Sequence, residues 1–111
     1  MLNYKDHIRL RHMLDYSGEA LRLIEGKDRK DLDQDRTLNL ALVRLLEIVG
    51  EAANRVSEET KGVYAEIPWF QIVGLRNRLI HGYDAVDFDI LWGVLSEELP
   101  ALVASLEKII E

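Results

Sequence analysis

Cysteine is absent from this 111-residue chain, which excludes disulfides, thiol nucleophiles and thiolate metal sites. Proline is nearly absent, with only Pro68 and Pro100, so the first half of the chain carries no proline to break a helix. A long apolar run is missing too: the longest stretch without a charged side chain is the nine residues Ile67 to Leu75, against about 20 for a membrane span. Met1 to Asp6 lack the basic start, apolar run and small-residue cleavage site of a secretory signal, so a cytoplasmic protein is expected. Net positive charge is lacking as well. Fourteen basic side chains face 20 acidic ones, a balance of −6, which argues against broad, charge-driven adhesion to nucleic acid. That excess is local: residues 1–83 carry 13 basic and 13 acidic groups, and the whole surplus lies in 84–111. What remains is 48% apolar and 31% charged, the balance of one soluble globular domain over residues 1–111, with a core of three to five helices or a small sheet.

Periodicity favours helices. Tyr4, Ile8, Met13, Leu14, Ala20, Leu21 and Ile24 follow a 3.6-residue spacing, predicting a first helix over Asn3 to Glu25 that Gly26 ends. Lys27 to Arg36 is dense in mixed charge and reads as a solvated loop, with Asp31 or Asp33 capping the next helix. That second helix is expected from about Gln34 to Ser57, with Leu38, Leu42, Leu45, Val49, Ala52 and Val56 on one seam. Twelve of the 19 residues from Leu38 to Val56 are apolar; so broad a face implies either a central helix or a second contact with another chain. Glu47, Glu51, Asn54 and Glu58 share one polar stripe, read first as a solvated face and second as the wall of a site. Pro68 suits the first turn of a third helix ending near His81, with Gly82 as a left-handed cap. A fourth helix starts at Asp87 and runs to the C-terminus, kinked or split near Glu98 by Pro100. No strand pattern or repeat is evident. The expected fold is all-α, an antiparallel up-and-down four-helix bundle.

Among groups that can do chemistry, His7 and His12 have no acidic partner at a metal-binding spacing and read as ordinary surface residues; no metal or cofactor is expected. His81 is placed in the last turn of the third helix, where the negative end of the dipole favours the imidazolium form. Arg76 precedes it by five positions and Tyr83 follows by two. With nine Arg and three His in the chain, chance supplies an Arg-x4-His pattern about 0.24 times, and requiring the Tyr lowers this to about 0.01. Glu51 and Asn54 are candidates to face this motif and orient Arg76. Arg78 points elsewhere and is expected in an ordinary ion pair or a peripheral backbone contact. Trp69 and Trp92 sit among aliphatics at helical spacing and read as packing.

Several segments together resemble a known family, the HEPN ribonucleases, and within it the HepT toxins paired with a minimal nucleotidyltransferase antitoxin (MntA) in type VII-like toxin–antitoxin systems. They are Ile48 to Ala53, Ile67-Pro68-Trp69, Arg76 to Tyr83, Asp87 to Trp92, and Pro100 in the last helix. The resemblance implies that Arg76 and His81 form the catalytic pair, that Asn77 is the polar residue following the Arg, and that Tyr83 is the tyrosine to which the partner transfers AMP. It also implies a homodimer, with RNA, tRNA among the candidates, as substrate. The residues allow such chemistry without a metal: His81 can move protons, and Arg76 offers a planar fork to phosphate oxygens. One His does not easily serve as base and acid at once, and a two-fold dimer would bring two copies into one cleft. The alternative is a non-catalytic HEPN interaction module that partners a nucleotidyltransferase.

Overall fold

The computed structural model of the chain describes residues 2–110. The first helix, α1, spans Tyr4–Leu23, and α2 and α3 span Arg29–Gln34 and Arg36–Asn54. Three short helices come next: α4 over Glu58–Val63, α5 over Trp69–Val73 and α6 over Leu75–Leu79. Strands β1, Ile80–His81, and β2, Ala85–Val86, form a small antiparallel hairpin. A final helical run joins α7, Phe88–Gly93, through a π turn at Val94–Glu98 to α8, Leu99–Ile110. The fold is all-α apart from this hairpin. α1, α3, the α5–α6 pair and the α7–α8 run take the places of the four expected helices.

Local chemistry explains most boundaries. Asn3 accepts from the Asp6 N–H at 2.7 Å and starts α1; Gly26, at φ 74°, ends the turn beyond it. The segment Lys27 to Arg36 is not a bare loop. Asp28 N–H donates to Asp31 Oδ2 at 2.7 Å at the start of α2, and Leu32, fully buried, anchors it. The cap of α3 is Asp35, which accepts from Leu38 N–H at 3.0 Å, in place of Asp31 or Asp33. The second predicted helix also ends early, at Asn54, because Ser57 caps a new helix, α4. There the Asp6 carboxylate, 2% exposed, accepts from Ser57 N–H and Oγ and from Thr60 Oγ1, tying α4 to the start of α1.

The core gathers Leu10 and Met13 of α1, Leu42, Leu46 and Val49 of α3, Leu75 and Leu79 of α6, and Leu91, Leu95 and Leu106 of the last run, each nearly or fully buried. α3 packs against α1, α2, α5 and α6. Its broad apolar face is thus that of a central helix, and the protomer itself covers most of it. Trp69 and Trp92 pack against this core as expected, and Trp69 Nε1 donates to the Tyr64 carbonyl at 3.0 Å. Gly50 permits the α3–α5 crossing: a Cβ there would lie 2.9 Å from the Ile72 carbonyl oxygen. The π turn answers Pro100. In an α-helix the proline ring would press on the Ser96 carbonyl; instead Leu99 N–H donates to Val94 O, five residues back, in the wider turn. The predicted interruption near Glu98 is therefore a bulge in a continuous helical run.

The third predicted helix differs most. It is broken at Gly74 and stops at Leu79, so His81 stands in β1 and not in a helical last turn. The dipole argument for His81 lapses accordingly. Gly82, at φ 73°, is left-handed as expected, but it serves the hairpin turn between β1 and β2. The pairing Ile80 with Val86 and His81 with Ala85 leaves Gly82, Tyr83 and Asp84 as the loop, closed behind by Asp87 N–H to Leu79 O at 2.8 Å.

Candidate active site

Arg76 projects from α6 with 58% of its side chain exposed, and its Nε lies 3.4 Å from Glu47 Oε2 on α3. The Gly50 crossing brings α5 and α6 against α3, which sets this pair facing each other. Between the helices is an open concavity of about 260 Å³ lined by Glu47, Glu51, Asn54, Val73, Arg76 and Asn77, with Gly50 at its floor. Four of the six residues singled out from the sequence, Arg76, Asn77, Glu51 and Asn54, are thus brought together. Their roles differ from the expectation in one respect. The carboxylate beside Arg76 is Glu47, while Glu51 lies 3.5 Å from Arg44. Glu58, the last member of the polar stripe, pairs with Lys61 instead.

His81 does not line that concavity. It is 64% exposed on β1, with Nε2 3.7 Å from Asp87 Oδ2. Asp87 also caps α7, accepting from Ile90 N–H at 3.0 Å. The hydrogen bond from Ile90 N–H, followed by one from Asp89 N–H and the nearby charge of His81, outweighs partial burial and holds the Asp87 carboxyl below its ordinary range. Asp87 is therefore an anion at neutral pH, close enough to orient a protonated imidazole. Sequence reasoning saw Asp87 only as a cap. The hairpin is what turns six residues of separation into proximity, and Gly82 between two apolar-flanked dipeptides was its available signal.

Tyr83 sits at the loop tip, 91% exposed. Arg78 makes a two-pronged pair with Glu98 at 2.9 and 2.7 Å, fastening α6 to the π turn. It is thus the ordinary ion pair anticipated, and the short segment carrying Arg76 gains a rigid backing. Among the described residues no three His, Cys, Asp or Glu side chains gather in a metal-holding arrangement, and no helix is long and apolar enough to cross a membrane.

The arrangement presents a cationic fork and an imidazole from one short segment, Arg76 beside Glu47 of α3 and His81 beside Asp87, the cap of α7, and both open to solvent. A fork of this kind binds phosphate oxygens and the imidazole transfers protons. Comparison with known proteins identifies the family. The family model described as ribonuclease HepT-like matches residues 13–109. The chain is 36% identical over 96 residues to the "Probable ribonuclease HepT" of Thermococcus cleftensis, covering 83% of this chain and 87% of that one. It is 32% identical over 102 residues to the "Putative RNase TTE0752" of Caldanaerobacter subterraneus subsp. tengcongensis, covering 92% and 91%. No solved structure matches significantly. With 97 of its 111 residues inside the family model, the chain belongs to the HepT-like ribonuclease family.

Proposed function

We propose that this ribonuclease-family protein is a metal-independent endoribonuclease whose site is completed by a second copy of the chain. The observation that carries the reading is the exposure of both motif side chains, Arg76 at 58% and His81 at 64%, each beside a carboxylate yet open to a substrate or a partner. In a two-fold dimer, one His81 takes the proton of an RNA 2′-hydroxyl, whose oxygen attacks the adjacent phosphorus. The second His81, protonated, gives its proton to the leaving 5′-oxygen. Paired Arg76 side chains stabilise the charge on the phosphorane between these steps. The products are a 2′,3′-cyclic phosphate and a 5′-hydroxyl, and the two imidazoles have exchanged protonation states. Phe70, 88% exposed on the same 69–83 segment, offers apolar surface to such a dimer, a role that the covered face of α3 does not fill. Asn77, Glu51 and Asn54 support the phosphate site from the walls of the concavity.

In this reading the enzyme is a cytoplasmic toxin acting on RNA, with tRNA the class its family resemblance favours. A minimal nucleotidyltransferase silences it by joining AMP from ATP to the Tyr83 oxygen, with pyrophosphate leaving. The exposure of Tyr83 at the hairpin tip supports this, and a bulky anion there would compete for the same cations as the substrate phosphate. The test is incubation of RNA with purified protein in excess EDTA. Cleavage yielding cyclic phosphate ends, absent with His81→Ala, is expected; equal and negligible cleavage by both proteins would leave the non-catalytic module as the better reading.

A further inference from the structure

A trough leads away from this site between α1 and α3. Lys5, Arg9 and His12 on α1 are spaced by four and three and share one stripe, and Arg55, just past the end of α3, joins them in lining a groove of about 370 Å³ with Ile8 among its apolar members. A second hollow of about 590 Å³ shares Lys5, Arg9 and Arg55 and adds Tyr4, so the two adjoin. At the other end Glu51 lines both the groove and the Arg76 concavity. The hollows therefore form a series from Arg76 to Tyr4, with Glu51 as the wall that the first two share.

The free charge along it is positive. Three carboxylates border it, and each is engaged: Asp6 is 2% exposed and hydrogen-bonded by Ser57, Thr60 and Asn3, Glu51 lies 3.5 Å from Arg44, and Glu47 lies 3.4 Å from Arg76. Lys5, Arg9 and Arg55 have no carboxylate partner among the described residues. From Lys5 to His12 the helix advances about 10 Å, the length over which a stacked strand presents about three phosphates. At the far end the Tyr4 ring is 80% exposed, a face on which a base can stack. Cations in a groove with an aromatic at its mouth are the means by which single strands are held without reading sequence. In a chain of net charge −6, basic hollows adjoining the Arg76 concavity are a local departure that suits a polyanion.

We propose that this trough holds the backbone of single-stranded RNA flanking the cleaved phosphate, with Lys5, Arg9 and Arg55 on phosphates and Tyr4 under a base. The proposal rests on the ribonuclease reading, and its test is separate from cleavage. A fluorescent single-stranded RNA of mixed sequence is titrated with full-length His81→Ala protein at several salt concentrations, with and without K5Q/R9Q/R55Q. Circular dichroism verifies folding, and K27Q/K30Q/R36Q serves as a control of equal charge change. The trough variant is expected to bind at least tenfold more weakly, with a salt slope smaller by about 2, or roughly 0.7 for each lost phosphate contact. Tyr4→Ala is expected to cost about tenfold at all salt concentrations. Binding within twofold of the parent, an equal loss in the control, or a change in dimerisation without a change in RNA affinity would each overturn the proposal. Wild-type protein that fails to cleave, while trough-dependent binding persists, would refute the catalytic reading and leave the trough standing.

Discussion

Removing the Asp6 carboxylate tests how the fold ties α4 to the start of α1. In the native protein Asp6 accepts from Ser57 N–H at 3.0 Å, Ser57 Oγ at 2.5 Å, Thr60 Oγ1 at 2.6 Å and Asn3 Nδ2 at 3.1 Å. Burial alone would raise its pKa, but the hydrogen bonds from Ser57, Thr60 and Asn3 together outweigh burial and lower it. Asp6→Ala strands the buried Thr60 hydroxyl and leaves Ser57, which is only part-buried, to find water. One stranded buried group at about 1–3 kcal/mol, plus loss of bonds to a charged acceptor, gives a cost of about 3 kcal/mol. Asp6→Asn keeps the shape, loses the charge and must present one N–H₂ to donors, so about 2 kcal/mol is expected. The sign of the pH dependence is set by the lowered folded-state pKa. The stabilisation is complete above the unfolded value near 4 and is lost as pH falls through the folded value. Urea unfolding of wild type and both variants from pH 7 down to about pH 2.5 measures this. The gap between wild type and Asp6→Asn should be widest at neutral pH and narrow steadily below about pH 4. A gap under about 0.5 kcal/mol at pH 7, or one that does not change with acid, would show that the ionised Asp6 does not hold α4 to α1.

The geometry of the site leads to three further outcomes. Gly50→Ala places a Cβ 2.9 Å from the Ile72 carbonyl and should destabilise by about 1–3 kcal/mol in thermal or urea unfolding; because the strain falls between α3 and the segment bearing Arg76, cleavage should drop further than stability alone explains. Asp87→Asn retains an acceptor for the Ile90 N–H, so unfolding should change by less than about 1 kcal/mol, while kcat falls about tenfold or more and its pH profile moves, since the anion facing His81 is gone. If the proposed AMP transfer holds, Tyr83→Phe should keep the folded state and remain unmodified on coexpression with a candidate minimal nucleotidyltransferase, whereas intact mass of the wild type should increase by whole AMP units; AMP retained on the Phe variant would remove the Tyr83 assignment.

The long helices were legible because their apolar residues recur with the period of the helix, and α1 and α3 lie within a few residues of where that period puts them. The short elements were not. α2 and α4 each hold six residues, too few to show a period, and each is held by a contact far away in sequence: Leu32 in the core, and Ser57 and Thr60 on Asp6. The hairpin at 80–86 escaped for the same reason, since two-residue strands have no alternation to read. Of the site, Arg76, Asn77, Glu51 and Asn54 meet as the stripe and the motif together suggested. The two carboxylates beside the motif, Glu47 and Asp87, were visible as a stripe member and a helix cap, but only the crossing at Gly50 and the turn at Gly82 show which cations they face.

In the proposed mechanism catalysis requires His81 from two copies of the chain, and mixing protomers measures this. Wild type and His81→Ala are combined at fixed total concentration, allowed to exchange protomers, and assayed for RNA cleavage in EDTA. If both imidazoles are needed, activity follows the square of the wild-type fraction, so an equal mixture retains about one quarter of the full rate. A linear decline, with an equal mixture keeping about half, would contradict the account by showing that one protomer carries the whole reaction.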